Sequence, residues 1–240
     1  MDNNKNRKMT ALEHLVELRW RLAIAAVFFI TATVISFSQV DKIRSVLTLP
    51  LNDAQLIYLT PPEAFIANIR VSVISGAILA SPIFIYQVLA YLFPAFKRSE
   101  RYFAIALVFG ICCFFILGIL FAYHIVFPIV IRFFLQFATD ELSAFFTISE
   151  YLSFVISFHM AFGLVFQLPL MTWALGRLGL LSTQFMRRNR KYALLIMLIM
   201  SAIITPPDII SQAVMVGPLL LLYEIGLFMV LLSEKRKSKS

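Results

Sequence analysis

Charge is what this sequence has least of. Only 14% of its 240 residues are Asp, Glu, Lys or Arg, whereas 60% are hydrophobic and the mean hydropathy is +0.87. Soluble domains carry roughly 25% charge and 45–50% apolar residues. A water-soluble fold is therefore excluded, because it would have no interior large enough for this much apolar surface. Cysteine is nearly absent too. Cys112 and Cys113 are adjacent within an apolar run, a spacing that suits neither a relaxed disulfide nor a metal site, and they read as small packing residues. Three histidines, His14, His124 and His159, stand apart with no carboxylate or thiol at ligand spacing. There is no phosphate-cradling GxxxxGK[ST] loop, no HExxH and no GxSxG. Catalysis, metal and cofactor all lack a signature, so energy for any work comes from outside the chain, for example from an ion gradient. A repeat of fixed period is missing as well, which weighs against an inverted-repeat transporter.

What is present is a series of charge-free runs, each judged against the roughly 20 residues that cross a 30 Å hydrocarbon core. They cover 22–40, 71–93, 102–128, 151–175, 192–204 and 209–232. The fifth is short, and the sixth reaches full length only by including Glu224. A cleaved signal peptide is a poor reading of the first, since the long segment before it carries Glu13 and Glu17. The net charge of +8 is placed at membrane borders rather than on a nucleic-acid face. Lys5, Arg7, Lys8, Arg19 and Arg21 precede the first run. Lys97, Arg98 and Arg101 follow the second, and Arg177, Arg187, Arg188, Arg190 and Lys191 follow the fourth. Lys235, Arg236, Lys237 and Lys239 close the chain, leaving only Lys42, Arg44, Arg70 and Arg132 on the other side. The positive-inside rule then predicts six spans with both termini in the cytoplasm.

The connecting segments have their own signals. Residues 1–21 contain Thr10 and Glu13 at capping-box spacing and an apolar stripe near Met9, Leu12, Leu15, Val16 and Leu22. They predict an amphipathic helix on the inner leaflet that leads into the first span. In the outer segment 41–70, Pro50 and the pair Pro61-Pro62 act as breakers, and a short helix from Glu63 to Arg70 follows. The outer segment 129–150 holds Phe145-Phe146, which suit the interfacial aromatic belt.

Five polar positions stand out. Glu17 is four residues before Arg21, a spacing for a weak helical ion pair. Glu100 is the single acid among Lys97, Arg98 and Arg101 in FPAFKRSER, where a loop ion pair is the plain explanation. Gln167 lies inside FGLVFQLP, and Pro169 frees a backbone carbonyl one turn earlier, near Val165. Such an amide is either interhelical glue or part of a functional groove. Glu224, in LLYEIG, sits below the inner interface and needs a partner or a proton. Asp208, after Pro206-Pro207, is placed to cap the sixth helix.

Several of these stretches, in order, resemble the TatC family, the polytopic receptor subunit of the twin-arginine protein translocase. They are LEHLVELRWRL, SPIFIYQVLAYLFPAFKRSERY, FGLVFQLP, RKYALLIMLIMSAIITPPDIISQ and PLLLLYEIG, and together they span nearly the whole chain. The resemblance implies an all-α, glove-shaped bundle of six transmembrane helices in a prokaryotic cytoplasmic membrane, with helices 5 and 6 short and both termini inside. It implies recognition of signal peptides bearing paired arginines, and export of folded proteins with small single-span TatA/TatB-type partners, driven by the proton-motive force. A homo-oligomeric receptor complex, contact with membrane lipid and no nucleic acid complete the expected partners. The family carboxylates that meet the arginine pair match Glu17 and Glu100, with Arg19 and Arg101 beside them. The family's acid in the fourth span falls at Gln167, so a role needing charge there is replaced by hydrogen bonding.

Physical chemistry gives that assignment a reason. Two guanidiniums at the membrane surface call for two carboxylates, each able to accept a planar fork that lysine cannot present. Gly163, Pro82, Pro169 and Pro218 mark places where helices bend or approach closely, which predicts a concave bundle with Gln167 facing the cavity. The competing reading is a small solute or ion transporter using Gln167 and Glu224. An intramembrane hydrolase fares worse, since Ser75, Ser81, Ser153, Ser157 and Ser201 have no base with an orienting acid.

Overall fold

A computed structural model of the chain describes residues 11–51, 56–92, 101–136, 145–204 and 209–237. The first helix, α1 (Ala11–Ser38), contains neither glycine nor proline and runs unbroken for 28 residues. The amphipathic stretch expected to lead into the first span is, from Ala11 on, continuous with it as one helix. After α2 (Val40–Thr48), a 3-10 turn at Leu49–Leu51 and the two-residue strand β1 (Leu56–Ile57), α3 runs from Glu63 to Leu92. The helix expected over 63–70 does not stop at Arg70, because no breaker separates it from the apolar run beyond. Pro82 lies inside α3 and can give no N–H to the Ile78 carbonyl. The Ser81 hydroxyl donates to that carbonyl at 2.7 Å instead, one of the ways a membrane helix tolerates proline.

The third membrane segment combines α4 (Arg101–Phe121), a widened π turn at Ala122–Val126 and α5 (Phe127–Leu135). It extends past Pro128, where the sequence suggested an end. A proline ring clashes with the carbonyl four residues earlier, and the looser π turn just before it takes up that clash. Strand β2 (Phe146–Thr147) pairs in parallel with β1, and Thr147 Oγ1 accepts from Glu150 N at 3.4 Å to cap α6 (Ile148–Val165). Then follow α7 (Leu168–Leu178), α8 (Thr183–Arg188), α9 (Arg190–Ile204) and α10 (Ile209–Lys237). Gly179, at φ 82°, closes α7 in the left-handed conformation that favours glycine.

Among the described residues, five helical stretches are long and apolar enough to cross a membrane: His14–Ser38, Glu63–Val88, Ile105–Leu135, Ile148–Leu178 and Gln212–Lys235. Helix α9, with 15 residues, is short as expected. Helix α10 is not: its 29 residues take in Pro218 and Glu224 without a break. The reason is that Glu224 is paired with Arg190 rather than left as an isolated charge that would end the span.

The core is aromatic and lies where α4, the π turn, α5 and α6 meet. Phe127, Phe158 and Phe162 are fully buried there, with Leu152, Val126 and Val130. The α4–α6 crossing is tight at Gly118, where an added Cβ would stand 2.7 Å from the Phe162 carbonyl oxygen. Helix α1 lies along α3 with equal closeness, a Cβ on Gly76 falling 2.7 Å from Thr33 Cα. Outside these seams, Val34, Leu79, Phe109, Leu164 and Phe228 face outward, as a hydrocarbon solvent demands.

Candidate recognition site where α1 meets α3

Two helices running in opposite directions bring the first turns of α1 beside the last turns of α3. His14 stacks on Tyr91 with ring centroids 4.1 Å apart and planes 18° apart. Two turns further along, Arg21 donates to Glu17 from Nε at 2.9 Å and from NH2 at 2.5 Å, and both bonds end on Oε1. Its NH1 reaches across to Gln87 Oε1 on α3 at 3.2 Å. The pair is largely sheltered, with side chains 24% and 21% exposed. Glu17 Oε2 is shielded from solvent and meets no donor among the described residues. A carboxylate oxygen in that condition is costly, of the order of 1–3 kcal/mol.

From this end an apolar cavity of about 310 Å3 opens along the α1–α3 seam, lined by Leu22, Ala25, Phe29, Ala80 and Phe84 among others. Leu22 follows Arg21 directly and Phe84 is one helical turn before Gln87. The carboxylate and the apolar groove are therefore contiguous, a polar head beside a greasy track.

The other expected site residues distribute as follows. Arg19 is exposed on a different face of α1, beside a cavity of about 360 Å3 with Val16, Trp20 and Ala23. Glu100 lies outside the described residues, between the end of α3 and Arg101, the first residue of α4. Asp208 is also outside the described residues. Pro50 forms the centre of the 3-10 turn whose last residue, Leu51, is buried. That end of the bundle is held by Tyr123 and Tyr151, which donate to the Val46 and Leu47 carbonyls at 2.8 Å each. Glu63 adds a clamp there, accepting from Leu59 N at 2.7 Å and Ser149 N at 3.3 Å.

Gln167 occupies the joint between α6 and α7. Its backbone N–H turns to Leu164 O at 3.0 Å, deserting the Gly163 carbonyl, and its own side-chain Nε2 covers that carbonyl at 3.1 Å. The same Nε2 donates to Ile111 O on α4 at 3.3 Å. The carbonyl it serves is thus Gly163, two residues before the Val165 expected from Pro169. Gln167 Oε1 is buried without a partner among the described residues, and Pro169 is buried beside it. Glu224 pairs with Arg190 at 2.8 Å, with both side chains about half exposed at 54% and 53%. Both groups invoked for a solute transporter are thus engaged in joining helices.

Sequence reasoning singled out Glu17 but missed His14, Tyr91 and Gln87 as its neighbours. Gln87 had a faint signal, a lone amide in the apolar run IFIYQVLAYL. Nothing along the chain announces the His14–Tyr91 stack, which depends on the register between two helices. Among the described residues, no group of three or more His, Cys, Asp or Glu side chains is placed to hold a metal ion.

The family described as Sec-independent protein translocase protein (TatC) matches residues 13–218. A TatC from Carboxydothermus hydrogenoformans is 39% identical over 227 residues, 93% of this chain and 93% of the relative. One from Aquifex aeolicus is 35% identical, covering 96% of this chain and 98% of the relative. A solved crystal structure of the twin arginine translocase receptor TatC superposes with a TM-score of 0.79 at 35% identity, covering 92% of this chain and all of that one.

Proposed function

The chain belongs to the TatC family of Sec-independent protein translocase proteins, a multi-pass membrane component of protein transport and not an enzyme, and we propose that it reads paired arginines on export signal peptides at its cytoplasmic face. The observation that carries this reading is the half-engaged carboxylate of Glu17, with Oε2 shielded and lacking a donor among the described residues. An incoming guanidinium supplies that donor, and Glu100 offers a second carboxylate to the second arginine. Planar bidentate pairing favours arginine over lysine at both. The apolar stretch of a signal peptide continues into the groove between Leu22, Ala25, Phe29 and Phe84. The basic residues around the loop after α3 repel cationic segments that fail to reach the carboxylates.

In the same reading the chain crosses a prokaryotic cytoplasmic membrane six times, α9 being the short span, with both termini inside. The basic termini and the basic α7–α9 connection support that orientation. Small single-span TatA/TatB-type subunits and further copies of this chain complete the export machine, and the proton-motive force drives it. The test is photocrosslinking to a signal peptide from a probe at position 99, which leaves Glu100 in place, comparing Arg-Arg with Lys-Lys versions and native Glu17 with Glu17→Gln. A crosslink that favours Arg-Arg and is lost in Glu17→Gln is expected. Equal yields from both peptides would remove the reading.

A further inference from the structure

We infer that Arg21 is an internal competitor for the arginine pair: its guanidinium holds Glu17 until a twin-arginine peptide displaces it, and Gln87 is the acceptor that receives it. The inference rests on the proposed role of Glu17 and adds the residue that sets the threshold for binding.

Three features of the geometry point this way. Arg21 is the same chemical species as the ligand, delivered four residues along the same helix, so Glu17 is never an empty carboxylate. Its grip is incomplete: Nε and NH2 crowd onto Oε1 at 2.9 and 2.5 Å and leave Oε2 unused. Two parallel bonds, one to each oxygen, would be the stronger arrangement. Lastly, NH1 already touches Gln87 Oε1 at 3.2 Å, so a rotation of the Arg21 side chain toward α3 releases Glu17 without stranding a sheltered guanidinium.

Competition of this kind sets a threshold, since an internal occupant weakens every cation at Glu17 by the same factor. A peptide lysine meets a carboxylate already occupied by a guanidinium and must displace a better-shaped donor with a poorer one. A peptide arginine exchanges like for like, and the second arginine, bound elsewhere, tips the balance. The ratio of the two affinities is still set by Glu17 itself, but the weaker ligand is pushed below useful occupancy while the stronger one still binds. Arg21 acts through Glu17 and is a positioning residue.

The experiment measures equilibrium binding of fluorescent Arg-Arg and Lys-Lys signal peptides to the full-length chain in lipid nanodiscs. Arg21→Gln should tighten both peptides, the Arg-Arg form about two- to fivefold, as expected for loss of one competing ion pair. The Lys-Lys form should gain by the same factor, leaving the ratio of affinities unchanged. Gln87→Glu gives Arg21 a charged acceptor on α3 and should tighten both peptides in the same way. Combined with Arg21→Gln it should add nothing, since both act on one contact. An unchanged or lower Arg-Arg affinity in Arg21→Gln, or fully additive gains in the double variant, overturns the inference and leaves the role of Glu17 standing. If Glu17→Gln binds Arg-Arg as well as the native chain does, the proposed site itself fails and this inference goes with it.

Discussion

Glu234 holds Thr183 by two bonds at once, its Oε1 accepting from the Thr183 backbone N–H at 2.9 Å and its Oε2 from the Thr183 hydroxyl at 2.7 Å. The last turns of α10 are thereby tied to the first turn of α8, fifty-one residues away in sequence. Tyr223 reinforces the joint by donating to the Met186 carbonyl at 2.7 Å, and Met186, Leu227 and Val230 pack beneath it. Thr183→Val removes the hydroxyl and leaves half of a charged acceptor unmatched. A loss of about 1–3 kcal/mol is expected, read as a lower melting temperature in detergent, with Thr183→Ser close to native. A valine variant as stable as the native chain would show that the bond to the hydroxyl is dispensable.

The close seams make a second, sharper prediction. Gly118→Ala pushes a methyl group against the Phe162 carbonyl oxygen at 2.7 Å, and backbone cannot move aside as a side chain can. Overpacking of this sort costs about 1–3 kcal/mol, seen as lower yield of folded protein and a lower melting temperature. Gly110→Ala is the contrast. Its new methyl would meet only the Leu170 Cδ atoms, at 3.0 and 3.2 Å, the movable end of a flexible side chain, and helix propensity favours alanine. It should be near neutral or slightly stabilising. Equal damage from the two substitutions would mean that proximity, not the identity of the obstructing atom, decides the cost.

The spans were legible because charge and hydrocarbon do not mix: wherever acids and cations vanish for twenty residues, a helix crosses. Their ends were harder to read. Pro128 looks like a stop along the chain and Pro82 like a bend, yet a π turn and Ser81 absorb them, and neither compensation has a signature at the level of composition. Glu224 likewise suggested an early limit to the last helix until Arg190, thirty-four positions away, supplied the counter-charge. Glu17 stood out because an acid beside a span is conspicuous in an apolar sequence. The Gln87 and Tyr91 contacts were invisible, since they arise from the register of α1 against α3, set by Gly76 and Thr33 at the crossing. No periodicity encodes that register.

Gln167 separates packing from function. Gln167→Leu deletes two hydrogen bonds, to Gly163 and Ile111, but also deletes the buried Oε1 that lacks a partner among the described residues. Losing bonds costs and losing an unmatched polar atom gains, so the net change in stability should lie within about 1 kcal/mol. Export of a folded reporter carrying a twin-arginine signal, measured in cells with the variant at native abundance, then tests the amide itself. A fall in export at unchanged stability assigns Gln167 a contact with peptide or partner helix. Export at the native level would confine it to joining α4 and α6.

The loop after α3 provides the most direct test of charge logic. Glu100 sits among Lys97, Arg98 and Arg101, and on the proposed reading the acid binds while the cations exclude. Glu100→Gln removes a carboxylate that pairs with a guanidinium and should weaken Arg-Arg peptide binding by tenfold or more, since losing one partner of a charge-assisted bond costs on the order of 1.5–3 kcal/mol. Lys97→Gln removes only a like charge from the ligand's surroundings. It should leave Arg-Arg affinity unchanged or slightly raised, and should raise the affinity of peptides with scattered lysines more. The difference between the two peptides is decisive, because a lysine that merely pairs with Glu100 would, when removed, free the acid for any cation and improve both peptides alike. Raising salt should reduce the benefit of Lys97→Gln, as exposed charges are screened over about 10 Å at 0.1 M, while a carboxylate sheltered by bound peptide is screened less. Equal losses from Glu100→Gln and Lys97→Gln would show that the loop contributes overall charge rather than a specific carboxylate.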